Sequence, residues 1–298
     1  MASTRFRTDR GLTARMGLVG FLFVALYLGF MALLIAVLDV GAPIIIVLAL
    51  GLGWAQWYFS DKIAMKAMRA REVTPEQAPE LHGVVDRLCA LADMEKPRVA
   101  VADTDIPNAF ATGRSPKHSV VCVTTGLLRR LDGDEVEGVI GHELAHVAHR
   151  DVSVMTVAAT LGVIAGLIMR WGLFFGGGGR DRNNALVFLV VWVASIAVYL
   201  LSFLLVRALS RYRELSADRA AAYLTSRPSA LASALTKISG DMARIPTKDL
   251  RQAEPVSAFL FAPALNRKSL TALFSTHPTL EQRLEQLARV SADLGRPV

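Results

Sequence analysis

The stretch Gly141–Phe175, GHELAHVAHRDVSVMTVAATLGVIAGLIMRWGLFF, passes from a histidine-rich pattern straight into an apolar run. His142 and His146 stand four residues apart with Glu143 beside the first, and that spacing puts both imidazoles on one helix face. From Val152 to Phe175 the only charged residue is Arg170, near the far end, where it can snorkel. A run of that length reads as a membrane span. A polar, metal-ligating helix at the mouth of a span is thus the pattern from which the fold is read.

The rest of the chain agrees with a membrane protein. Of its 298 residues 53% are hydrophobic and only 20% charged, too apolar for an ordinary soluble domain. Besides the run just quoted there are Met16 to Leu38, Ala42 to Phe59 and Ala185 to Val206. Trp54, Trp57 and Tyr58 in the second of these are placed for an interfacial belt. The first run follows a basic segment, but its apolar core is longer than a signal peptide's and another run follows closely, so an uncleaved anchor is expected. The expected fold is mainly α: about four transmembrane helices plus a cytosolic helical domain with a small β-sheet. The net charge of +7 gathers beside the apolar runs, which points to lipid headgroups and topology. No nucleic-acid motif accompanies it. Cys89 and Cys122 form no CxxC pair and read as buried small residues of a reducing compartment.

Loop charges set the orientation. Arg5, Arg7, Arg10 and Arg15 precede the first span, the turn DVGAP carries no basic residue, and Lys62, Lys66, Arg69 and Arg71 follow the second. The positive-inside rule places both termini and residues 60 to 150 in the cytoplasm, although Arg180 and Arg182 in the outer loop argue the other way. The expected domains are 1–59 (basic segment and first hairpin, spans about 16–38 and 42–59), 60–151 (cytosolic, with the HELAH helix), 152–206 (second hairpin, spans about 152–175 and 185–206) and 207–298 (cytosolic, helical). The two cytosolic parts must meet in space to form one domain.

Within residues 60–151, TPEQAPELHGVVDRLCALADM reads as a helix opened by Thr-Pro, and PRVAVADT and KHSVVCVTTGLL read as strands around NAFATG. LDGDEVEGVIGHELAHVAHR reads as a helix opening at Asp132 or Asp134, with Glu135 and Glu137 in its first turn. Val136, Ile140, Leu144 and Val147 form one stripe and His142, His146 and His149 another. In an H-E-x-x-H helix the histidines bind zinc and the glutamate is general base, so His142 and His146 are candidate ligands and Glu143 the candidate base.

A catalytic zinc normally takes three protein ligands and keeps one open position. No glutamate occurs between Val147 and Arg213; the first afterwards is Glu214, in LSRYRELSADRAAAY, directly beyond the fourth run. Glu214 is therefore the expected third ligand, with Asp218 four residues on, on the same face. The competing reading makes Glu214 a partner of Arg211 or Arg213. His149 is a poorer third ligand: residues zero, four and seven along one helix span about 10 Å, too far for bonds near 2 Å. His149 is read as a residue that supports the site or faces headgroups, and Asp151 as one that supports the site or stands at a helix end.

NAFATG, HELAHVAHRD, SRYRELSADRAAAY and FSTHPTLEQRLEQL, in that order among four apolar runs, resemble the HtpX-like heat-shock membrane metalloproteases. These are gluzincin-type zinc endopeptidases related to the CAAX prenyl endopeptidases. The resemblance implies one Zn2+ per chain, Glu214 as third ligand and Asp218 as the aspartate of ExxxD. It also implies an inner-membrane, multi-pass protein with a cytosolic active site that clears damaged or misfolded membrane proteins. Through it His277 approaches the site, to orient water or stabilise the oxyanion; by itself this histidine reads as structural, at a helix entry with Pro278 in the first turn and Thr276 as cap. Arg283 reads as an exposed helical arginine or as partner of an acid such as Asp218. NAFATG offers an edge strand on which an extended substrate could lie by β-augmentation, Asn108 and Ala109 nearest, or else an ordinary hairpin. The glycine run Gly176 to Gly179 is a departure from the family's pattern, an unusually loose stretch that leaves the outer loop's role open. The expected partners are protein or peptide substrates, membrane proteins first, and the lipid bilayer, with no nucleic acid; oligomeric state stays open. The alternative function is a zinc-binding but proteolytically inactive membrane sensor or scaffold.

Overall fold

The computed structural model describes residues 10–37, 47, 50–51, 53–55, 57–175, 182–244 and 277–295. The glycine run 176–179, Thr276, and the arginines Arg5, Arg7 and Arg180 lie outside them, as does much of the second apolar run.

The described part is mainly helical. Three helices are long and apolar enough to cross a membrane, over Thr13–Leu34, Asp151–Met169 and Phe188–Thr225. The second expected span, 42–59, is described only in fragments, although its end runs by helical hydrogen bonding through Phe59 into a helix at Ser60–Ala67. Phe30, Leu34, Leu161, Ile164, Val191 and Val198 form the core shared by the three long helices. Their outward residues, such as Phe21 at 68% and Val157 at 76% exposure, present the apolar surface that lipid would cover.

One feature differs from the expected boundary at 206/207. The fourth run does not end there; a single helix runs Arg182–Thr225, carrying the apolar segment and the polar segment with Glu214 as one rod. The reason is local: no Gly or Pro occurs between Ala185 and Arg227, so nothing interrupts the i to i−4 ladder until Pro228 opens the next helix, Pro228–Arg244.

Outside the apolar helices a four-stranded sheet has the order β1-β2-β4-β3: β1 Arg71–Glu72, β2 Arg98–Ala102, β3 Ala109–Gly113 and β4 Ser119–Thr124. β2 and β4 pair in parallel, whereas β3 and β4 form an antiparallel hairpin. Gly113 closes that hairpin at φ +137, and a Cβ there would sit 2.3 Å from the His118 carbonyl oxygen, so only glycine fits. Strand alternation divides β4 between two cores. Val121 and Val123 face the HELAH helix, while Val120 and Cys122 face Ala64 of the Ser60–Ala67 helix. Burial pushes the Cys122 thiol up to about 12 and that of Cys89 to about 11, so both are inert, as expected of buried cysteines.

The helix expected to open at Thr74-Pro75 begins later, at Pro79, and runs to Ala92. Residues 75–77 form a turn in which Gln77 Oε1 accepts from the Thr74 amide, and Pro79 takes the first-turn position instead.

Candidate metal centre

The HELAH helix spans Gly133–Ala148. Asp132 caps it and exchanges hydrogen bonds with Glu135 as a capping box. Glu135 also accepts from Ser233 Oγ at 2.6 Å, which fastens this end to the Pro228–Arg244 helix. The helix is buried nearly all round, His142 and Glu143 included. Gly138 allows this, because a Cβ there would lie 3.2 Å from the Leu231 backbone. His149 is the C-cap, outside the helix proper, so the histidine stripe ends at His146.

His142, His146 and Glu214 converge. The two Nε2 atoms are 3.0 Å apart, and Glu214 carboxylate oxygens lie 3.6 Å from that of His142 and 3.3 Å from that of His146. Among the described residues this is the group of three or more potential ligands that could hold one ion. Tetrahedral bonds of 2.0–2.1 Å leave ligand atoms about 3.3–3.4 Å apart, so the spacing suits zinc.

Tautomers strengthen the fit. His142 Nδ1 lies 2.8 Å from Asp218 Oδ1, and His146 Nδ1 lies 2.6 Å from Asp151 Oδ2. An ionised carboxylate only accepts, so each Nδ1 is assigned as donor and each Nε2 of a neutral ring presents a lone pair. Glu214 Oε2 is buried and takes no well-formed hydrogen bond. Three buried acceptors facing one point need a cation among them. A proton would serve too. Burial alone would lower the pKa of His142 and His146, but the carboxylates outweigh it: Asp218 and Glu214 raise His142, and Glu214 raises His146.

Arg283 resolves the choice left open by the sequence. It is 3% exposed and grips Asp218 with two bonds, Nε to Oδ2 at 2.7 Å and Nη2 to Oδ1 at 2.6 Å. Its Nη1 is 3.8 Å from Glu214 Oε2, and its Nη2 is 3.4 Å from His142 Nδ1. Its helix, Leu280–Asp293, starts one turn later than expected. Thr279 is the cap, in a capping box with Gln282, so Pro278 precedes the helix. His277 stands at that entry with Nδ1 3.0 Å from Glu214 Oε2, inside the site.

A residue the sequence reading gave to another role is Arg213. It does not pair with Glu214; it contacts Asp151 and donates to the His149 carbonyl at 3.0 Å. No local signal marks it, because both partners lie over 60 residues earlier. His149 itself takes no place among the three converging atoms. Burial, then the charges of Arg213 and His146, push its pKa down to about 4.

His142, Glu143, His146, Glu214 and His277 line a cavity of about 430 Å³. One wall is strand β3, Ala109 to Gly113, the last strand of the sheet. Asn108 lies just before it, fully buried, its amide donating to Thr124 Oγ1 at 2.9 Å. Met155, near the start of the apolar helix Asp151–Phe175, and Val206, where the apolar stretch of the long helix ends, line the same cavity.

Residues 75–291 match the model of peptidase family M48. The chain is 61% identical over 295 residues to Protease HtpX homolog 1 of Streptomyces coelicolor, covering 98% of this chain and 97% of that one. It is 53% identical over 291 residues to the Protease HtpX homolog of Moorella thermoacetica, covering 96% and 97%. Its fold is similar to the crystal structure of S. mikatae Ste24p, with a TM-score of 0.52 and 16% identity, over 94% of this chain and 66% of that longer one. Similarity at this level, along nearly the whole chain, means that the chain belongs to peptidase family M48, among the HtpX-like membrane metalloproteases.

Proposed function

We propose that the protein is a zinc-dependent membrane endopeptidase that cleaves damaged or misfolded membrane proteins at the cytosolic face of the cell membrane. His142, His146 and Glu214 hold the ion in this reading, and Glu143 is the base. The observation that carries it is the meeting of two Nε2 atoms and the Glu214 carboxylate at 3.0–3.6 Å, beside Glu143 and an edge strand. The proposed division of labour keeps residues 60–151 and 207–298 as two cytosolic parts of one catalytic domain, carried by hairpins at 1–59 and 152–206, with both termini inside.

Bound in the cluster, Zn2+ supplies a Lewis acid and brings the pKa of water to about 7. The chain does the rest. Glu143 takes the proton of the attacking water and hands it to the leaving amine. β3 holds an extended substrate through backbone hydrogen bonds, with Asn108 and Ala109 at its start, which allows many sequences to bind. Arg283 and His277 bring positive charge and a ring nitrogen to the Glu214 side of the cavity, where an oxyanion can be stabilised. The cavity reaches Met155 and Val206, so a chain at the bilayer surface meets the site without leaving it.

The test is zinc content and peptide hydrolysis of detergent-purified protein. Glu143→Gln is expected to keep one zinc per chain and lose about 10²–10⁴-fold in rate, the range of general base catalysis. Adding Glu214→Ala is expected to remove most of the zinc. Full cleavage by Glu143→Gln overturns the proposed base, and equal zinc in both variants moves the third ligand elsewhere.

A further inference from the structure

Each imidazole of the cluster is backed by a carboxylate that an arginine grips in turn. The Asp218–Arg283 pair behind His142 joins two helices outside the apolar core. The pair behind His146 is different in kind. Asp151 is the first residue of the apolar helix Asp151–Phe175, separated from the HELAH helix by the two-residue turn His149–Arg150, with Arg150 at φ 55. Arg213 sits on the long helix, immediately before Glu214. We propose, building on the zinc reading above, that Asp151 and Arg213 are a positioning pair through which the packing of the two apolar helices sets the metal affinity.

The contacts form a closed loop. Asp151 Oδ2 holds His146 Nδ1 at 2.6 Å, Asp151 Oδ1 contacts Arg213, and Arg213 Nη2 donates to the His149 carbonyl at the end of the HELAH helix. Along the backbone Arg213 adjoins Glu214, so one arginine ties the orientation of the second imidazole to the place of the third ligand. Both members are 7% exposed, leaving water little room to substitute. A buried ion pair is a weak source of stability compared with apolar packing, so stability alone is a poor reason for this one. Orientation of a ligand is a better one, since partners of ligating histidines fix ring direction and basicity.

The same two helices approach closely within the bilayer region. A Cβ on Gly162 would lie 3.4 Å from Ser202 Cβ, and one on Gly166 would lie 3.4 Å from the Tyr199 ring. Small residues of this kind set interhelical distance in membranes. Gly162 is about 16 Å along the helix from Asp151. A bulky side chain there wedges the pair of helices apart, draws Asp151 from Arg213 and turns His146 away from Glu214.

The experiment uses full-length protein in nanodiscs, in a Glu143→Gln background that prevents self-digestion. Zinc affinity is read by chelator competition, and ligand geometry by the visible absorption of the cobalt-substituted protein. Asp151→Ala and Arg213→Met are each expected to weaken zinc about 10–100-fold and alter the cobalt spectrum, with no further loss in the double variant. Gly162→Leu is expected to weaken zinc too, but not once Asp151→Ala is present. Asp151→Asn, which keeps an acceptor for Nδ1 and removes the charge Arg213 holds, serves where the alanine variant does not fold and is expected to shift the cobalt spectrum. An Asp151 variant that binds zinc within about twofold of the parent with an unchanged spectrum overturns the role of the pair, as do losses that multiply in the double. A parent that binds neither metal overturns the zinc reading and the pair's role with it.

Discussion

His142 and His146 lie one turn apart on the same helix, yet different regions of the molecule hold them. Behind His142, Asp218 and Arg283 are 0% and 3% exposed and join the long helix to the C-terminal helix. Behind His146, Asp151 and Arg213 stand where two apolar helices leave the bilayer region, and the His146 side chain is 17% exposed against 1% for His142. One imidazole is seated in the packed core around the HELAH helix; the other leans on the apolar helices. In the proposed reading, metal held across that boundary responds to folding of the first and to helix packing in the second.

The largest effect that would sharpen this contrast belongs to the deep side. Arg283→Met leaves Asp218 buried without its cation, and breaking such a pair costs about 3–5 kcal/mol. Thermal unfolding of the purified variant is expected to show a large fall in Tm; a Tm near the parent's would mean that the deep pair is no more structural than the pair at the membrane edge.

Acidification comes next. The folded protein holds the pKa of His142 and His146 above the ordinary value, so protons compete with the metal at a higher pH than for free histidine. Zinc affinity is expected to start falling as pH drops from above about 6.5, read by chelator competition across pH. Asp218→Asn removes one of the groups that raise His142, and the onset is expected to move to lower pH. An onset that stays in place would break the assignment of Asp218 to His142.

The smallest effect separates stability from positioning. Asp132→Ala removes the cap at the far end of the HELAH helix, which costs about 1 kcal/mol. It is expected to lower Tm slightly and leave zinc affinity unchanged. A loss of zinc affinity comparable with that of the proposed Asp151 variants would mean that general loosening of the helix, rather than the backing pairs, governs the metal.

The HELAH helix was legible because its signals are local: a capping box at Asp132 and Glu135, and histidines at helical spacing. Glu214 could be reached by elimination, since no other glutamate follows HExxH for 67 residues up to Arg213. The continuity of the long helix was also written in the chain, in the absence of Gly and Pro from Ala185 to Arg227, although the change from apolar to polar composition drew the boundary at 206. Arg283 is another matter. On its own helix it shares a stripe with Leu280, Leu287 and Val290, but only the crossing of that helix over the long one brings it to Asp218, 65 residues earlier.

Sequence by itself thus determined what depends on near neighbours: the apolar helices, the histidine pair on one helix face with Glu143 beside it, the strands of the sheet and the family. Tertiary structure alone decided the parallel pairing of β2 with β4, the entry of His277 to the site and the choice of Arg213 for Asp151 rather than Glu214. Periodicity and capping act within a few residues, where backbone geometry sets the distances. Pairings 60 or more residues apart depend on how rigid helices cross, and that is settled by the packing of whole faces, which no short stretch encodes.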